Sequence, residues 1–461
     1  MEKLIKNGKV VIPKLGIVNL TIGINEGKIA ALFDPDQEII AEEEIDASGR
    51  YIIPGVIDAH THWGYTAGYR KQCEAESQSA AIGGVTTALV HLMSDKPYDD
   101  EYFNRCVNGG EEASYIDFGL QFMITNQDHP ACIEKAVRDW GISSFKFLMG
   151  YKGAVDQTSG RVSELNDGIM YESFAEIAKF RHAIACVHAE NAEIASHFLQ
   201  KIRASGMDGL RAWEAASPGV AEAENTLRSC YFAETTGCPV YIVHLSSKEA
   251  LRELARFKSR YDRVYGETTP HYLVHNVDSP IGNLGKIGPP LRTKEENDLY
   301  WQALADGAID CVGSDTTPTT RELKKGDIWG AARGFPGTGT LLPLLLSEGV
   351  NKGRISLERV VELVSYNPAR IFNLYPRKGA ISVGSDADLT VIDLDMEKTV
   401  TAALMQSWSE YSVYEGWKLK GWPVMTLIRG EVIMRDSEVV GEKGYGKYIP
   451  RNAPLTDSES H

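Results

Sequence analysis

Short apolar runs separated by turn residues make up the first fifty positions. Leu4-Ile5 and Val10-Val11 flank an Asn7-Gly8 turn, and residues 18–24 alternate polar and apolar positions before a second turn at 25–28. This spacing is typical of antiparallel strands joined by tight turns. The pattern predicts that residues 1–50 form a small β domain.

From Tyr51 onward, apolar runs alternate with amphipathic stretches of helical length. The runs span residues 51–53, 86–90, 118–122, 144–148, 184–188, 240–244, 264–267 and 309–313. Eight such units favour an α/β fold, a (β/α)₈ TIM barrel formed by residues 51–377.

Short strand-like runs return after Arg377, at 387–393 and 424–433. Residues 378–436 are therefore predicted to join residues 1–50 in one composite β-sandwich domain, with the barrel inserted between its two parts. Residues 437–461 are polar and glycine-rich, and we expect them to be a C-terminal tail, either an arm or a disordered segment.

Composition and charge limit the kinds of molecule that the protein can bind and the compartment in which it works. The chain of 461 residues carries 48 Lys+Arg against 63 Asp+Glu, a formal net charge of −15, which excludes a nucleic acid or an anionic membrane as its main partner. No apolar run approaches the roughly 18 residues of a membrane span, and the first residues do not resemble a signal peptide. The seven Cys form no CxxC pair. These features predict a cytoplasmic protein with reduced thiols, large enough to be an enzyme.

Histidine and aspartate follow several of the barrel runs. His60 and His62 lie two apart in an extended segment, so both imidazoles point the same way. His188 and His244 each close a run, and Asp315 follows another. Each residue alone is more often structural. As an ordered set on the catalytic face of a barrel, they predict a metal centre.

Lys146 lies between Phe145 and Phe147 inside an apolar run. One interpretation is a side chain that extends to solvent or forms an ion pair. The other is a modified lysine: a desolvated neutral amine beside two metals reacts with CO₂ to give a carbamate, an anionic bridging ligand.

Several stretches together resemble the cyclic amidohydrolase branch of the amidohydrolase superfamily, which includes hydantoinases, dihydropyrimidinases, allantoinases and dihydroorotases. The resemblance extends from about Val10 to about Arg435. Its motifs are PGVIDAHTH at 54–62, AAIGGVTT at 80–87, FKFLMGYKG at 145–153, VHAEN at 187–191, VHLSS at 243–247, PPLR at 289–292, GSD at 313–315 and the stretch 367–393.

The resemblance implies a binuclear site in which His60, His62 and Asp315 hold the more buried metal ion. It places His188 and His244 on the more exposed ion, with carboxylated Lys146 bridging the two. The ions are most often Zn²⁺ in this family.

The implied reaction is hydrolytic ring opening of a hydantoin or a dihydropyrimidine to an N-carbamoyl amino acid. Asp315 would carry the proton, and Tyr151 matches the family tyrosine that donates a hydrogen bond to the oxyanion. Family members are usually homotetramers or dimers, with a small cyclic amide as the substrate.

Two positions depart from the family pattern. Gly288 stands where the family usually has Ser, at a position where backbone groups contact the substrate. Arg333 replaces a family Asn. Either Arg333 pairs with a carboxylate or a ureido oxygen of the substrate, or it faces solvent while the backbone contact is unchanged.

The loop that follows His60-Thr61-His62 is aromatic, with Trp63 and Tyr65. These rings either shape a pocket for a flat, apolar substituent or pack as part of a lid. Dihydroorotases commonly have Arg at the position of Trp63, so Trp63 disfavours the interpretation of this chain as a dihydroorotase.

Three rival functions remain at this point. Residues 329–332 and 341–345 have some similarity to allantoinases, so an allantoinase or another cyclic ureide hydrolase is the main alternative. A non-catalytic dihydropyrimidinase-like assembly protein is disfavoured because all six ligand positions are filled. A mononuclear deaminase would not need Lys146.

Overall fold

The computed structural model describes residues 1–151 and 163–451, and for Tyr151 it describes the backbone alone. Seven short strands come first. They are β1 (Lys3–Lys6), β2 (Lys9–Ile12), β3 (Gly16–Asn19), β4 (Thr21–Asn25), β5 (Lys28–Phe33), β6 (Glu43–Asp46) and β7 (Tyr51–Pro54).

Eight parallel strands then form the barrel. They are β8 (Val56–Thr61), β9 (Val85–Leu92), β10 (Asp117–Ile124), β11 (Ser144–Leu148), β12 (Ile184–His188), β13 (Val240–Ile242), β14 (Val264–Thr268) and β15 (Cys311–Val312). Each strand pairs with the next, and a parallel bridge between Thr61 and Thr316 joins the last to the first. Nearly every strand residue is buried, as expected for parallel strands covered on both faces.

Four strands from the other chain end complete the β domain: β16 (Leu389–Thr399), β17 (Lys418–Ile428), β18 (Glu431–Arg435) and β19 (Glu438–Val439). They extend β7, β2 and β3 into a seven-stranded sheet, while β5, β4, β1 and β6 form a four-stranded sheet. Apolar side chains from both sheets, such as Ile22 and Leu427, share one buried cluster. The predicted barrel with a β domain built from both chain ends is confirmed.

Helices cover the outside of the barrel. They are α1 (Tyr69–Ile82), α2 (Asp100–Glu111), α3 (Ile133–Arg138), α4 (Asp167–Ile177), α5 (Ala192–Ala204), α6 (Gly209–Ala216), α7 (Gly219–Thr236), α8 (Lys248–Lys258), α9 (Pro270–Val274), α10 (Lys294–Ala305), α11 (Leu341–Leu344), α12 (Leu357–Val361), α13 (Asn367–Ile371) and, in the β domain, α14 (Ala402–Met405). Asn191 and Ser247 cap the first turns of α5 and α8 with side-chain oxygens, which fixes where those helices begin directly after catalytic-face loops. None of the described helices is long and apolar enough to cross a membrane.

The first barrel strand differs from the predicted one. Residues 51–53 belong to β7 of the β domain, where Ile52 pairs with Val10 and Val391, and the barrel begins at Val56. Both segments are apolar, and Pro54 and Gly55 separate them. The strands with which each segment pairs distinguish residues 51–53 from the segment that begins at Val56, and the hydrophobic pattern does not encode those pairings.

The described part of the C-terminal tail is ordered against the barrel. The Ile449 amide donates to the Phe118 carbonyl over 2.8 Å, and the Arg451 amide donates to the Gly141 carbonyl over 2.8 Å. The Arg451 guanidinium is fully buried and donates to the Ser144 hydroxyl over 2.8 Å. Residues 440–451 are therefore an arm, and the rest of the tail lies outside the described residues.

Candidate metal centre and active site

The carboxyl ends of the barrel strands bring the predicted ligands together. His60 lies on β8, Lys146 on β11 and His188 ends β12, while His244 and Asp315 lie in the loops just after β13 and β15. His244 and Asp315 have φ angles of +39° and +52°, in the left-handed region that side chains other than glycine rarely adopt. Such backbone strain is concentrated at functional sites.

His60 is at the centre of one group of donors. Its Nε2 lies 3.1 Å from His62 Nε2, 2.8 Å from Lys146 Nζ and 3.3 Å from Asp315 Oδ1. Asp315 Oδ1 is also 3.3 Å from His62 Nε2. Four candidate ligand atoms from three strand ends thus face one small volume.

The second group is a pair of imidazoles. His188 Nδ1 lies 2.8 Å from His244 Nε2, and both rings are 2% exposed. The His244 ring stacks against the His60 ring with centroids 5.3 Å apart. The two groups are therefore neighbours at the same end of the barrel.

The donor set has the chemistry of a metal site. His60 Nδ1 lies 2.7 Å from Glu267 Oε1, and with Glu267 ionised Nδ1 donates to it, so that the Nε2 lone pair faces His62, Lys146 and Asp315. The second nitrogen of His188 is likewise held, 2.7 Å from Glu190 Oε2, which leaves Nδ1 to face His244. Imidazole nitrogens, a lysine side chain and a carboxylate thus converge at about 3 Å, and nitrogen and oxygen donors of these kinds are common ligands of a divalent cation such as Zn²⁺. The residues fit the implied metals.

Buried carboxylates that the sequence analysis did not single out orient these ligands. Glu267 is fully buried; besides His60, it accepts the His244 amide over 3.0 Å and the Tyr241 hydroxyl over 2.9 Å. Asp58 accepts the Ser314 amide over 3.0 Å. In the sequence, both acids lie inside strand-like runs and are indistinguishable from core positions.

Burial perturbs the charge of Lys146. The side chain is 1% exposed, and desolvation lowers its pKa to about 8 although the Asp315 and Glu267 carboxylates favour the ammonium. A substantial fraction of the amine is therefore neutral near physiological pH, and the neutral amine is the nucleophilic form.

An open cavity leads to the ligands. It encloses about 490 Å³, part of it open solvent. Besides the ligands, its lining includes Tyr65, Leu148, Ile287, Gly288, Thr317, Arg333 and Gly334. Tyr65, Gly288 and Arg333 thus lie where substrate contacts were expected.

One expected substrate contact does not line this cavity, and the side chain of another lies outside the described residues. Trp63 is fully buried in the main hydrophobic core and does not line the cavity at the ligands. Burial of its large apolar ring in this cluster leaves Tyr65, two residues on, as the aromatic residue of this loop that lines the cavity. The side chain of Tyr151 lies outside the described residues, and its backbone ends a short 3₁₀ turn, Met149–Tyr151, directly after β11.

The loop that carries Arg333 is held rigidly. Buried Lys286 donates to the Ala331 carbonyl over 2.5 Å, and buried Lys324 donates to the Ala332 carbonyl over 2.9 Å. The Arg333 guanidinium lies 5.0 Å from the centre of the Trp213 ring. A fixed backbone and a cation–π contact therefore position this charge at the edge of the cavity.

Comparison with known proteins decides the family. The model of the amidohydrolase family matches residues 51–433, most of the chain. The chain belongs to the amidohydrolase family. The resemblance seen in the motifs is confirmed.

Named relatives cover almost the whole length of the chain. An L-hydantoinase of Paenarthrobacter aurescens is 34% identical over 95% of both chains, and a D-hydantoinase of Geobacillus stearothermophilus is 34% identical over 98% of this chain and 97% of its own. Among solved structures, the L-hydantoinase (dihydropyrimidinase) of Arthrobacter aurescens superposes with a TM-score of 0.91 at 32% identity, covering 98% of this chain and 100% of its own. A dihydropyrimidinase of Brevibacillus agri gives a TM-score of 0.89 at 29% identity, covering 98% and 99%.

Proposed function

We propose that this amidohydrolase opens the ring of a hydantoin or a dihydropyrimidine by hydrolysing one ring C–N bond, and releases an N-carbamoyl amino acid. The observation that carries the proposal is the convergence of four imidazoles, Lys146 and Asp315 at the mouth of one barrel. The names of the relatives, hydantoinase and dihydropyrimidinase, agree with this activity.

The proposed cofactor is a pair of divalent ions, most readily Zn²⁺, because imidazole nitrogen and carboxylate oxygen are its common ligands. His60, His62 and Asp315 would hold one ion and His188 and His244 the other. Lys146 would bridge them as a carbamate, formed when the neutral amine adds CO₂ and releases a proton. Such ions polarise the scissile carbonyl and lower the pKa of a bound water.

The proposed role of Asp315 rests on its position, and that of Tyr151 rests on the family resemblance. Asp315 Oδ1, 3.3 Å from both His60 Nε2 and His62 Nε2, accepts the proton of the attacking water and passes it to the leaving ring nitrogen. Tyr151 donates a hydrogen bond to the oxyanion. Backbone groups at Gly288 contact the ring, and Tyr65 contacts its substituent.

Arg333 is proposed to select the substrate. Its loop is fixed by Lys286 and Lys324, and its guanidinium at the cavity edge suits a carboxylate or a ureido oxygen, which accept paired hydrogen bonds.

Arg333→Asn is expected to lower kcat/KM about 10-fold or more for a substrate with a carboxylate substituent and to change it little for unsubstituted hydantoin, because one charge-assisted hydrogen bond contributes roughly 1.5–3 kcal/mol. The measurement is a panel of hydantoin, carboxymethylhydantoin, dihydrouracil, allantoin and dihydroorotate on both proteins. Arg211→Asn, at an exposed ion pair with Asp278, is the control. An unchanged order of preference in Arg333→Asn would exclude the selective role, and allantoin as the best substrate would favour an allantoinase.

The protein is also proposed to be a cytoplasmic homo-oligomer, a dimer or a tetramer. The exposed apolar residues Val220, Leu227 and Tyr231 along α7 support self-association, and all seven cysteines are free, as in a reducing compartment. Light scattering on the purified protein tests the assembly.

A further inference from the structure

A second large cavity opens at the opposite end of the barrel from the predicted ligands. It encloses about 940 Å³, part of it open solvent, and its walls come from the segments just before β12, β13, β14 and β15 and from α13. Ile184, in its wall, begins β12, whereas the predicted ligand His188 ends that strand. Four residues of a strand span roughly 13 Å. The cavity is therefore separate from the candidate metal centre.

Three arginines line this cavity without a neutralising acid. Arg181, Arg263 and Arg370 come from three separate segments, and no salt bridge joins any of them to a carboxylate of the described residues. Asp310, the one carboxylate among the described lining residues, is held instead by Lys258, whose Nζ lies 2.8 Å from each of its two oxygens. The lining therefore carries an excess of positive charge in a chain whose formal net charge is −15.

Neutral groups hold two of the guanidinium groups in place. Arg263 donates from Nη1 to the Gly237 carbonyl over 2.8 Å and from Nη2 to the Arg181 carbonyl over 3.1 Å. Arg370 donates from Nη1 to the Tyr366 hydroxyl over 2.9 Å, and its guanidinium carbon lies 5.5 Å from the centre of the Tyr366 ring. These contacts orient the guanidinium groups but do not cancel their charge. The positive charge remains available to a ligand.

The chemistry of the lining selects an anion. A guanidinium group matches the geometry of a carboxylate or a phosphate, to which it donates paired hydrogen bonds. A cleft lined by charges of one sign also raises the local concentration of counter-ions. Pro239, Tyr265 and Ile371 add apolar and aromatic surface to the same walls. A ligand that combines an anionic group with an organic body fits this combination.

We propose that this cavity is a second ligand site, which binds a small organic anion with phosphate or carboxylate groups through Arg181, Arg263 and Arg370. The site uses none of the residues that were assigned to the metal ions or to the cyclic substrate. The inference therefore does not rest on the proposed function, and it is tested by binding rather than by turnover.

The probes are phenyl phosphate and phthalate, which share a benzene ring and differ in the anionic group. Isothermal titration calorimetry compares wild type with Arg181→Gln/Arg370→Gln, which removes the two exposed guanidinium groups of the cavity. The matched control, Arg211→Gln/Arg252→Gln, removes the same charge from exposed ion pairs elsewhere. Wild type is expected to bind at least one probe saturably, and the cavity variant at least about 10-fold more weakly, because charge-assisted hydrogen bonds are lost. The control should stay within about twofold of wild type, since its charges are screened by solvent.

Tighter binding of phenyl phosphate would identify phosphate as the preferred group, and tighter binding of phthalate would identify carboxylates; both results support the site. Equal affinity of the cavity variant and the control would overturn the proposal, because the anion would then bind elsewhere, for example at the metal centre. Absence of saturable binding of either probe by wild type below about 10 mM would overturn it as well. If circular dichroism shows that the double variant does not fold, the two single variants replace it, each expected to weaken binding at least about threefold.

Discussion

Replacing Lys146 with alanine is expected to lower turnover of the best cyclic amide by about 10⁴-fold, because it removes the group that faces the buried ligands. Lys146 Nζ is 2.8 Å from His60 Nε2, and its side chain is 1% exposed at the bottom of the cavity, so alanine leaves this position without a ligand group. Metal-ion catalysis contributes several kcal/mol of transition-state stabilisation, and about 5.5 kcal/mol corresponds to that loss.

Three measurements check this expectation: turnover, bound metal per chain and ¹³C NMR after supplying ¹³C-bicarbonate. The wild-type spectrum should contain a carbamate carbon signal that Lys146→Ala lacks. Propionate, which fits the space left by the lysine, should restore part of the activity by supplying a carboxylate. Lys135→Ala, at a solvent-exposed ion pair, is the control and should match wild type. Wild-type turnover in metal-replete Lys146→Ala would contradict the bridging role.

The fold and most of the ligands could be predicted because those ligands lie at or just after the end of a buried run, whereas Lys146, inside a run, was reached through the family motif around it. In parallel strands, a run of apolar residues marks the strand and the next polar residue marks its carboxyl end. His188 and Asp315 could therefore be predicted from the order of residues along the chain. Closure of the barrel then brings those ends together, as at the bridge between Thr61 and Thr316.

Residues inside strands could not be assigned in the same way. Glu267 lies within an apolar run, where a polar residue is indistinguishable from a core residue that has found a partner. Its importance depends on which strands are neighbours and on the face to which its side chain points, and both are properties of the closed barrel. The same holds for Arg451, which the composition of the tail presents as a surface residue but which is buried beneath the barrel.

The interface between barrel and β domain contains a charge cluster centred on Lys378, which is 1% exposed. Its Nζ lies 2.6 Å from Asp117 at the start of β10, 2.5 Å from Asp388 and 3.1 Å from Asp386, both just before β16. Burial opposes the lysine charge, but the three carboxylates outweigh burial and raise the Lys378 pKa above its usual 10.5. An ammonium thus occupies the position among three acids that a metal ion would otherwise take.

Lys378→Met is expected to lower the free energy of unfolding by about 3–5 kcal/mol near pH 7.5, because it leaves the buried Asp388 without a cation and removes one of the cations beside Asp117 and Asp386. The raised pKa of Lys378 means that wild type keeps this stabilisation up to about pH 10, as long as the carboxylates are ionised. In the variant, Asp117 keeps Arg429 and Asp386 keeps Arg377 as counter-ions, whereas Asp388 has none among the described residues. Burial therefore holds the pKa of Asp388 above its unfolded value, and stability falls as pH increases from about 4. The loss of unfolding free energy should therefore be smaller at pH 5 than at pH 7.5, as measured by urea unfolding at both values.

The control is Lys28→Met, which removes a half-exposed lysine 3.4 Å from Asp386 and should lower the free energy of unfolding by less than about 1 kcal/mol. A deficit in Lys378→Met that is the same at both pH values would show that lost packing, rather than unpaired charge, causes the destabilisation.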